Sequence, residues 1–529
     1  MDERNMSGFD SAFDRIWRAR SDRRAFLLGG LALVGAGALT RVQARPRWNA
    51  ASPFSLGVAS GDPTHDGVVL WTRLAPDPLN AGGGMSPEPV EVRWEVAEDE
   101  AMLRIVKRGR VTATAGWAHS VHVEVDGLKA ARPYWYRFHA GDATSPVGRT
   151  RTMPKGGDDV DRLRFAFASC QHYETGFFTA YRHMAAEDLD LVFHLGDYIY
   201  EDAGRDNQVR KHHGLEILTL QDYRNRYAQY KTDPDLQAAH AAFPFVVTPD
   251  DHEVDNNYAG AISEHAEVLR EAFLQRRAAA YQAYYEHMPL RRRSVPAGPA
   301  IQLYRQFTYG KLASFFVLDT RQFRSDQPCG DGLKAPCPGV ADPAATMLGA
   351  PQEKWLFEAL ARSKGQWNVL PQQVMVAKVD RGLGAEERYS MDQWSGYDAG
   401  RTRLLEFFAR RKPSNPVVLT GDIHSNWVND LKVDFRDANA PAVATEFVGT
   451  SITSGGDGID QGPAMKDVLA ENPFVKFQSS QRGYVSCSVT PKAWHADYHV
   501  VDFVTRPDAP KKTRASFKVT DGRPGAERL

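Results

Sequence analysis

No block of basic residues runs through this sequence, and its formal net charge is −1 over 529 residues. A phosphate-backbone footprint needs clustered Lys and Arg, so nucleic acid is excluded as an obligate partner. Beyond the first 44 residues no apolar run approaches the roughly 20 residues that a spanning helix requires, which predicts no stable membrane span in the mature chain. Internal repeats and low-complexity tracts are missing too, and composition is that of an ordinary globular protein. The length predicts two or three domains with a sizeable core.

Cysteines are few, four in all, and they divide by context. Cys329 and Cys337 flank a Gly/Pro-rich loop short enough to close, and in an exported protein that predicts a disulfide. Cys487 alternates with strand residues and reads as a small core hydrophobe. Cys170 stands where a strand ends, beside Gln171 and His172, in the position of a ligand or nucleophile.

Export is predicted from the amino terminus. Arg23 and Arg24 precede a Gly/Ala-rich apolar run, and Val42-Gln43-Ala44 offers small residues for cleavage. Residues 1–44 thus read as a Tat signal peptide, with the Tat translocon as a transient partner and a periplasmic or secreted destination. Asp22 and Leu28 depart slightly from the usual pattern around the twin arginines.

From 45 to 156 the pattern has period two: Val90, Val92, Trp94 and Val96, then Val121, Val123 and Val125, then Tyr134, Tyr136 and Phe138. This predicts a small antiparallel β-sandwich domain. From 157 to 529 strands alternate with helices, which predicts an α/β domain. Helices are expected over 177–187, 352–363 and within 220–242 and 264–285, and the charged tail beyond Pro507 reads as fraying after a last strand.

Four apolar runs end in residues of metal-ligand type. Leu163-Arg164-Phe165-Ala166-Phe167 leads to Cys170; Leu191-Val192-Phe193-His194 leads to Asp197 and Tyr200. Phe245-Val246-Val247 leads to Asp250-Asp251-His252-Glu253, and Val417-Val418-Leu419 leads to Asp422 and His424. Ligands gather at the carboxyl ends of strands in layered α/β folds, so these ends predict one polynuclear metal centre. A carboxylate such as Asp197 can bridge two cations. A tyrosinate from Tyr200 and a thiolate from Cys170 suit ferric iron.

The motifs Ala168-Ser169-Cys170-Gln171, Gly196-Asp197-Tyr198-Ile199-Tyr200-Glu201, Asp250-Asp251-His252-Glu253-Val254-Asp255-Asn256-Asn257, Leu318-Asp319-Thr320-Arg321 and Gly421-Asp422-Ile423-His424-Ser425 occur in that order. Together they resemble the PhoD-type alkaline phosphatases, a branch of the calcineurin-like metallophosphoesterases. Phe54 to Pro63 and Val69 to Leu74 resemble the start of that family's amino-terminal β-domain. The resemblance implies a four-layer αββα domain holding Fe3+ and Ca2+. It places Cys170, Asp197 and Tyr200 on iron, completed by Asp422 or His424, with Asp197 and Asp251 reaching calcium. His252 is implied beside the phosphoryl oxygens as acid or charge stabiliser. Asn257 and Arg321 are implied as substrate contacts or as structural residues. Pro249 stands where the family usually has Trp, and Pro371-Gln372-Gln373 replaces a Gly-containing stretch, which bears on substrate preference.

The expected function is hydrolysis of phosphate monoesters and diesters by metal-activated hydroxide. A phospholipase-D-like action on lipid diesters is the alternative within that class. A non-catalytic cell-envelope binding protein is the alternative outside it.

Overall fold

The computed structural model describes Trp48 and residues 52–529. Residues 1–44, read above as a signal peptide, lie outside the described residues. No helix among the described residues is long and apolar enough to cross a membrane.

The architecture is mixed α/β. A ten-stranded sheet runs in the order Arg523–Arg528, Lys511–Thr520, Ala493–Val501, Gly483–Val489, Leu163–Ala168, Leu191–His194, Pro244–Val247, Val58–Gly61, Val68–Arg73, Ser120–Val125. Its centre, Leu163–Ala168, Leu191–His194 and Pro244–Val247, is parallel. A seven-stranded sheet runs Arg305–Tyr309, Ala313–Val317, Trp367–Pro371, Pro416–Thr420, Ala442–Val448, Asn426–Lys432, Val475–Ser479. Strand alternation assigns the faces. Phe165, Phe167, Phe193 and Val246 of the first sheet pack with Phe315, Val369, Val417 and Phe447 of the second in one buried cluster. Ala166, Ala168, Val192 and Phe245 pack instead with helical Tyr181, Tyr223, Tyr227 and Tyr284. On the other sheet Phe316, Leu370 and Val418 pack with Leu356, Leu404 and Phe408. Full burial of each such side chain stabilises by roughly 1.5–3 kcal/mol. The parallel bridge Ser169↔Ser451 links segments just past the ends of Leu163–Ala168 and Ala442–Val448.

The two-sheet packing expected for 45–156 shares one of its sheets with the rest of the chain. Val58–Gly61 pairs in parallel with Pro244–Val247 through Ser60↔Pro244 and Gly61↔Phe245. A five-stranded sheet built on Val90–Ala97, Ile105–Ala113 and Pro133–Ala140 then packs Val92, Val96 and Phe138 against Val68, Leu70 and Val121 of the long sheet.

Helix boundaries follow local chemistry. The stretch 220–242 is two helices, Leu220–Lys231 and Pro234–Ala242. Thr219 and Asp222 form a capping box at the first, while Asp233 caps the second with Pro234 at its first position. The stretch 264–285 becomes helix only at Arg270–His287. Residues past Pro507 do not fray: Ala515, Phe517 and Val519 are buried as alternate residues of Lys511–Thr520.

Candidate metal centre

Five residues read as site residues sit in left-handed backbone: Cys170 (φ 60°), Asp197 (φ 55°), Asn257 (φ 50°), Asp422 (φ 64°) and His424 (φ 56°). Non-glycine residues avoid this region, and such strain gathers at functional sites. At Cys170, Asp197, Asp422 and His424 a strand ends and the chain turns within a few residues, so the side chain projects off the strand end. Gly196 makes one turn possible, since a Cβ there would lie 2.3 Å from Asp250 Cβ.

The turns bring the side chains into three linked groups, each with one donor atom per residue within 4.8 Å of the others. Cys170, Asp197 and His424 form the first group, Asp197, Asp251 and His252 the second, and Asp250, Asp251 and Asp422 the third. Asp197 belongs to the first two and Asp251 to the last two. Tyr200 joins the first: its hydroxyl donates to Asp197 Oδ2 at 2.9 Å and lies 3.1 Å from His424 Nε2.

A donor set suited to cations should leave acceptor atoms unpaired, and this one does. Asp197 Oδ1, Asp250 Oδ2 and Asp251 Oδ1 are buried and accept no hydrogen bond, an arrangement that costs free energy unless a cation takes the lone pairs. Burial, with Asp251 and Glu253 nearby, pushes the Asp197 carboxyl well above the usual range. Burial and then Asp197 push the Cys170 thiol and the Tyr200 phenol up as well. Burial raises Asp422 to about 6 against the opposing pull of Arg321. Burial lowers His424 to about 3, helped by His252 and Arg482. The chemistry is graded: soft sulfur, phenol and imidazole lie on one side of Asp197, and oxygen alone lies on the Asp250–Asp422 side. The first suits iron and the second calcium.

His252 stands apart from the ligand groups in its wiring. Its Nδ1 lies 2.7 Å from Glu201 Oε2, and its ring stacks on Tyr200 with centroids 4.1 Å apart. Burial opposes the charged imidazole, but Glu201, Asp251 and Asp197 outweigh it and raise the pKa well above the ordinary value. Glu201 is fixed in turn by the Asn256 backbone N–H, which donates to Oε1 at 2.7 Å.

Arg321 is read above as a substrate contact or as a structural residue, and its surroundings here favour the structural role. Its side chain has no exposed surface, and it engages Asp250, Asp392 (2.9 Å) and Asp422 (3.1 Å), with Asp251 at 3.6 Å. It is a buried counter-ion for the oxygen-rich group. Arg324 and Gln327 secure Asp392 from outside. Asn257 lies half-buried, donating its backbone N–H to Asp251 Oδ2 at 2.7 Å and its side-chain Nδ2 to Asp331 Oδ2 at 2.8 Å. Asp331 belongs to the loop closed by the Cys329–Cys337 disulfide, so that expected bridge is present and holds the rim of the site. Cys487 is buried and free, as its strand position implies.

Sequence reasoning missed Glu201, Asp250 and Asp392 as working parts. Glu201 and Asp250 lie inside motifs already picked out, so adjacency was a usable signal. Asp392 reaches Arg321 from 71 residues away, and nothing local marks it.

Fold and donor set together define a mixed α/β protein with groups of metal-ligand-type residues at its strand ends. Comparison with known proteins makes the class specific. The PhoD-like phosphatase profile matches residues 165–498, and that of the PhoD-like phosphatase N-terminal domain matches 40–154. Alkaline phosphatase D of Bacillus subtilis (strain 168) is 54% identical over 510 residues, which is 94% of this chain and 87% of that protein. A solved structure of PhoD matches with a TM-score of 0.89 and 55% identity, over 92% of this chain and 93% of that one. The chain belongs to the PhoD-like phosphatase family.

Proposed function

We propose that this protein is an exported, metal-dependent phosphate ester hydrolase that acts on monoesters and diesters with Fe3+ and Ca2+ at its strand ends. The observation that carries the reading is the chain of donor groups running from Cys170, Tyr200 and His424 through Asp197 to Asp250, Asp251 and Asp422. Iron would be held by Cys170, Asp197, Tyr200 and His424, and calcium by Asp197, Asp251 and Asp422. Bound there, the metals supply an acidified water and charge stabilisation for the phosphoryl oxygens. The three buried clusters, helix against sheet, sheet against sheet and sheet against helix, support a four-layer αββα domain over 157–529 behind an amino-terminal β-domain over 45–156. The twin arginines support Tat export to the periplasm or beyond.

The chain's own residues supply the rest. Glu201 accepts the Nδ1 proton of His252, which fixes the ring and keeps the imidazolium charged, so Nε2–H is the proton donor for the leaving-group oxygen. Arg321 keeps Asp251 and Asp422 ionised and aligned without touching substrate. Loops 325–347 and 380–401 wall the rim and set which alcohol fits.

The test is hydrolysis of a chromogenic phosphate monoester and its bis-ester by the purified protein, with calcium and after chelation. Turnover lost to chelator and restored by calcium supports the reading. No turnover of either ester by metal-replete protein would sink it and favour a binding protein. The ratio of the two rates decides between phosphatase and phosphodiesterase.

A further inference from the structure

Arg482 is a buried guanidinium with no carboxylate in ion-pair contact among the described residues. Its Nη1 donates to His424 O at 2.6 Å, Nε to Gly456 O at 2.7 Å and Nη2 to Gly455 O at 3.1 Å. Burying a guanidinium among carbonyls alone is costly, so each of these bonds is needed to hold it. The loop it holds is shaped around it: Gly455 has φ +89°, and a Cβ there would lie 2.6 Å from Arg482 Nη2.

That loop delivers Ser454 to the sulfur-bearing side of the site. Ser454 Oγ donates to Cys170 O at 2.7 Å, lies 2.7 Å from the Tyr200 hydroxyl and accepts the His172 backbone N–H at 3.2 Å. Upstream in the same loop, Thr450 Oγ1 donates to His424 O at 3.2 Å, and Ile452 N donates to Ser169 O at 3.0 Å.

The geometry points to Arg482 and Ser454 as one clamp that positions Cys170, Tyr200 and His424 for iron, both of them positioning residues that act through the ligands. The inference rests on the reading of those three residues as iron ligands.

The test compares purified holoenzyme with Arg482→Lys and Ser454→Ala, measuring iron and calcium content, iron release to a chelator and the visible band of a phenolate on ferric iron. Lysine keeps the charge, but its donors sit on one nitrogen and cannot span carbonyls spaced around a planar guanidinium, so Arg482→Lys should release iron about 10–100-fold faster, the usual effect of losing a partner behind a metal ligand. Its calcium content should stay at the wild-type value, which a general collapse of the site would not allow. Ser454→Ala should retain its iron with the band moved, because the Tyr200 oxygen loses its contact with Ser454 Oγ. Unchanged release and an unchanged band would overturn the clamp. Should Arg482→Lys fail to fold, an unmoved band in Ser454→Ala would overturn it alone. A wild-type protein with no iron and no band overturns the ligand reading instead.

Discussion

On one side of Asp197, a serine hydroxyl contacts Tyr200 and donates to the Cys170 carbonyl, and the His424 carbonyl accepts from an arginine that meets no carboxylate among the described residues. On the other side Asp250, Asp251 and Asp422 close around Arg321, with Asp392 completing its shell. The first side consists of groups whose neutral forms burial favours. The second carries its own counter-charge in Arg321. The sulfur side is thus arranged to be completed by a strongly polarising cation, and the oxygen side to stand folded with or without one. Charge compensation, more than ligand identity, separates them.

Asp197 is the residue the two sides share, so changing it should have the largest effect. Asp197→Asn keeps the shape but removes the bridging charge. The expected result is a fall in kcat of ~10³-fold or more, on the scale of losing a principal electrostatic contact, with bound metal lost from both sides. Kinetics and elemental analysis of one preparation would check it. Wild-type turnover in that variant would remove the shared bridge and with it the comparison.

Arg321 tests the oxygen side alone. Arg321→Met leaves buried carboxylates without their partner, a change that typically costs about 3–5 kcal/mol. Thermal unfolding should show the loss, and excess calcium should restore part of it by supplying the missing positive charge. Arg321→Lys should rescue poorly, because one ammonium cannot replace a planar fork shared among four carboxylates. Equal unfolding temperatures for Met variant and wild type would mean that the oxygen side is not held by its arginine.

How much of this was legible in the sequence depends on distance along the chain. The strand ends at Cys170, Asp197, Asp251 and Asp422 were readable because an apolar run and its turn are contiguous. The ten-stranded sheet was not, because Val58–Gly61 finds its parallel partner Pro244–Val247 far downstream and no local pattern names a partner. The break at Asp233-Pro234 was readable in principle, since a capping Asp before Pro starts a helix; the flanking Ala-rich text obscured it. The final strands were misread as a fraying tail because Lys, Thr and Arg occupy their exposed face. The role of Arg321 was left open for another reason: burial is a property of packing, and an arginine after a strand looks the same whether it meets substrate or four aspartates.

The disulfide offers a smaller handle on the oxygen side. Cys329 and Cys337 are separated by 8 residues, and closing so short a loop contributes about 2–3 kcal/mol by the chain-entropy argument. Replacing both with Ser should lower the unfolding temperature accordingly. It should also loosen Asp331 from Asn257, which raises KM before it touches kcat and leaves the phenolate–iron band unmoved. A moved band would mean that the rim loop couples to both sides.

Lys231 supplies the contrast to Arg321, a buried cation with no carboxylate at all. Its ammonium lies 4.3 Å from the Trp71 ring centroid and 5.2 Å from that of Tyr198, and among the described residues it makes no hydrogen bond or ion pair. Burial lowers its pKa from 10.5 to about 7. Between those values the unfolded chain binds a proton that the folded chain has released, so this residue makes stability rise with pH from about 7 towards 10.5 and fall on acidification. Lys231→Met removes the titration but also the contact with Trp71, so the net gain at neutral pH should be small, a rise in Tm of about 1–3 °C. Unfolding curves of wild type and variant across pH 7 to 10 give the sign directly. The two should converge as pH rises, because the neutral lysine of the wild type then costs nothing to bury. A gap that widens with pH would mean that the folded lysine keeps its proton and that the aromatic rings alone suffice to hold it.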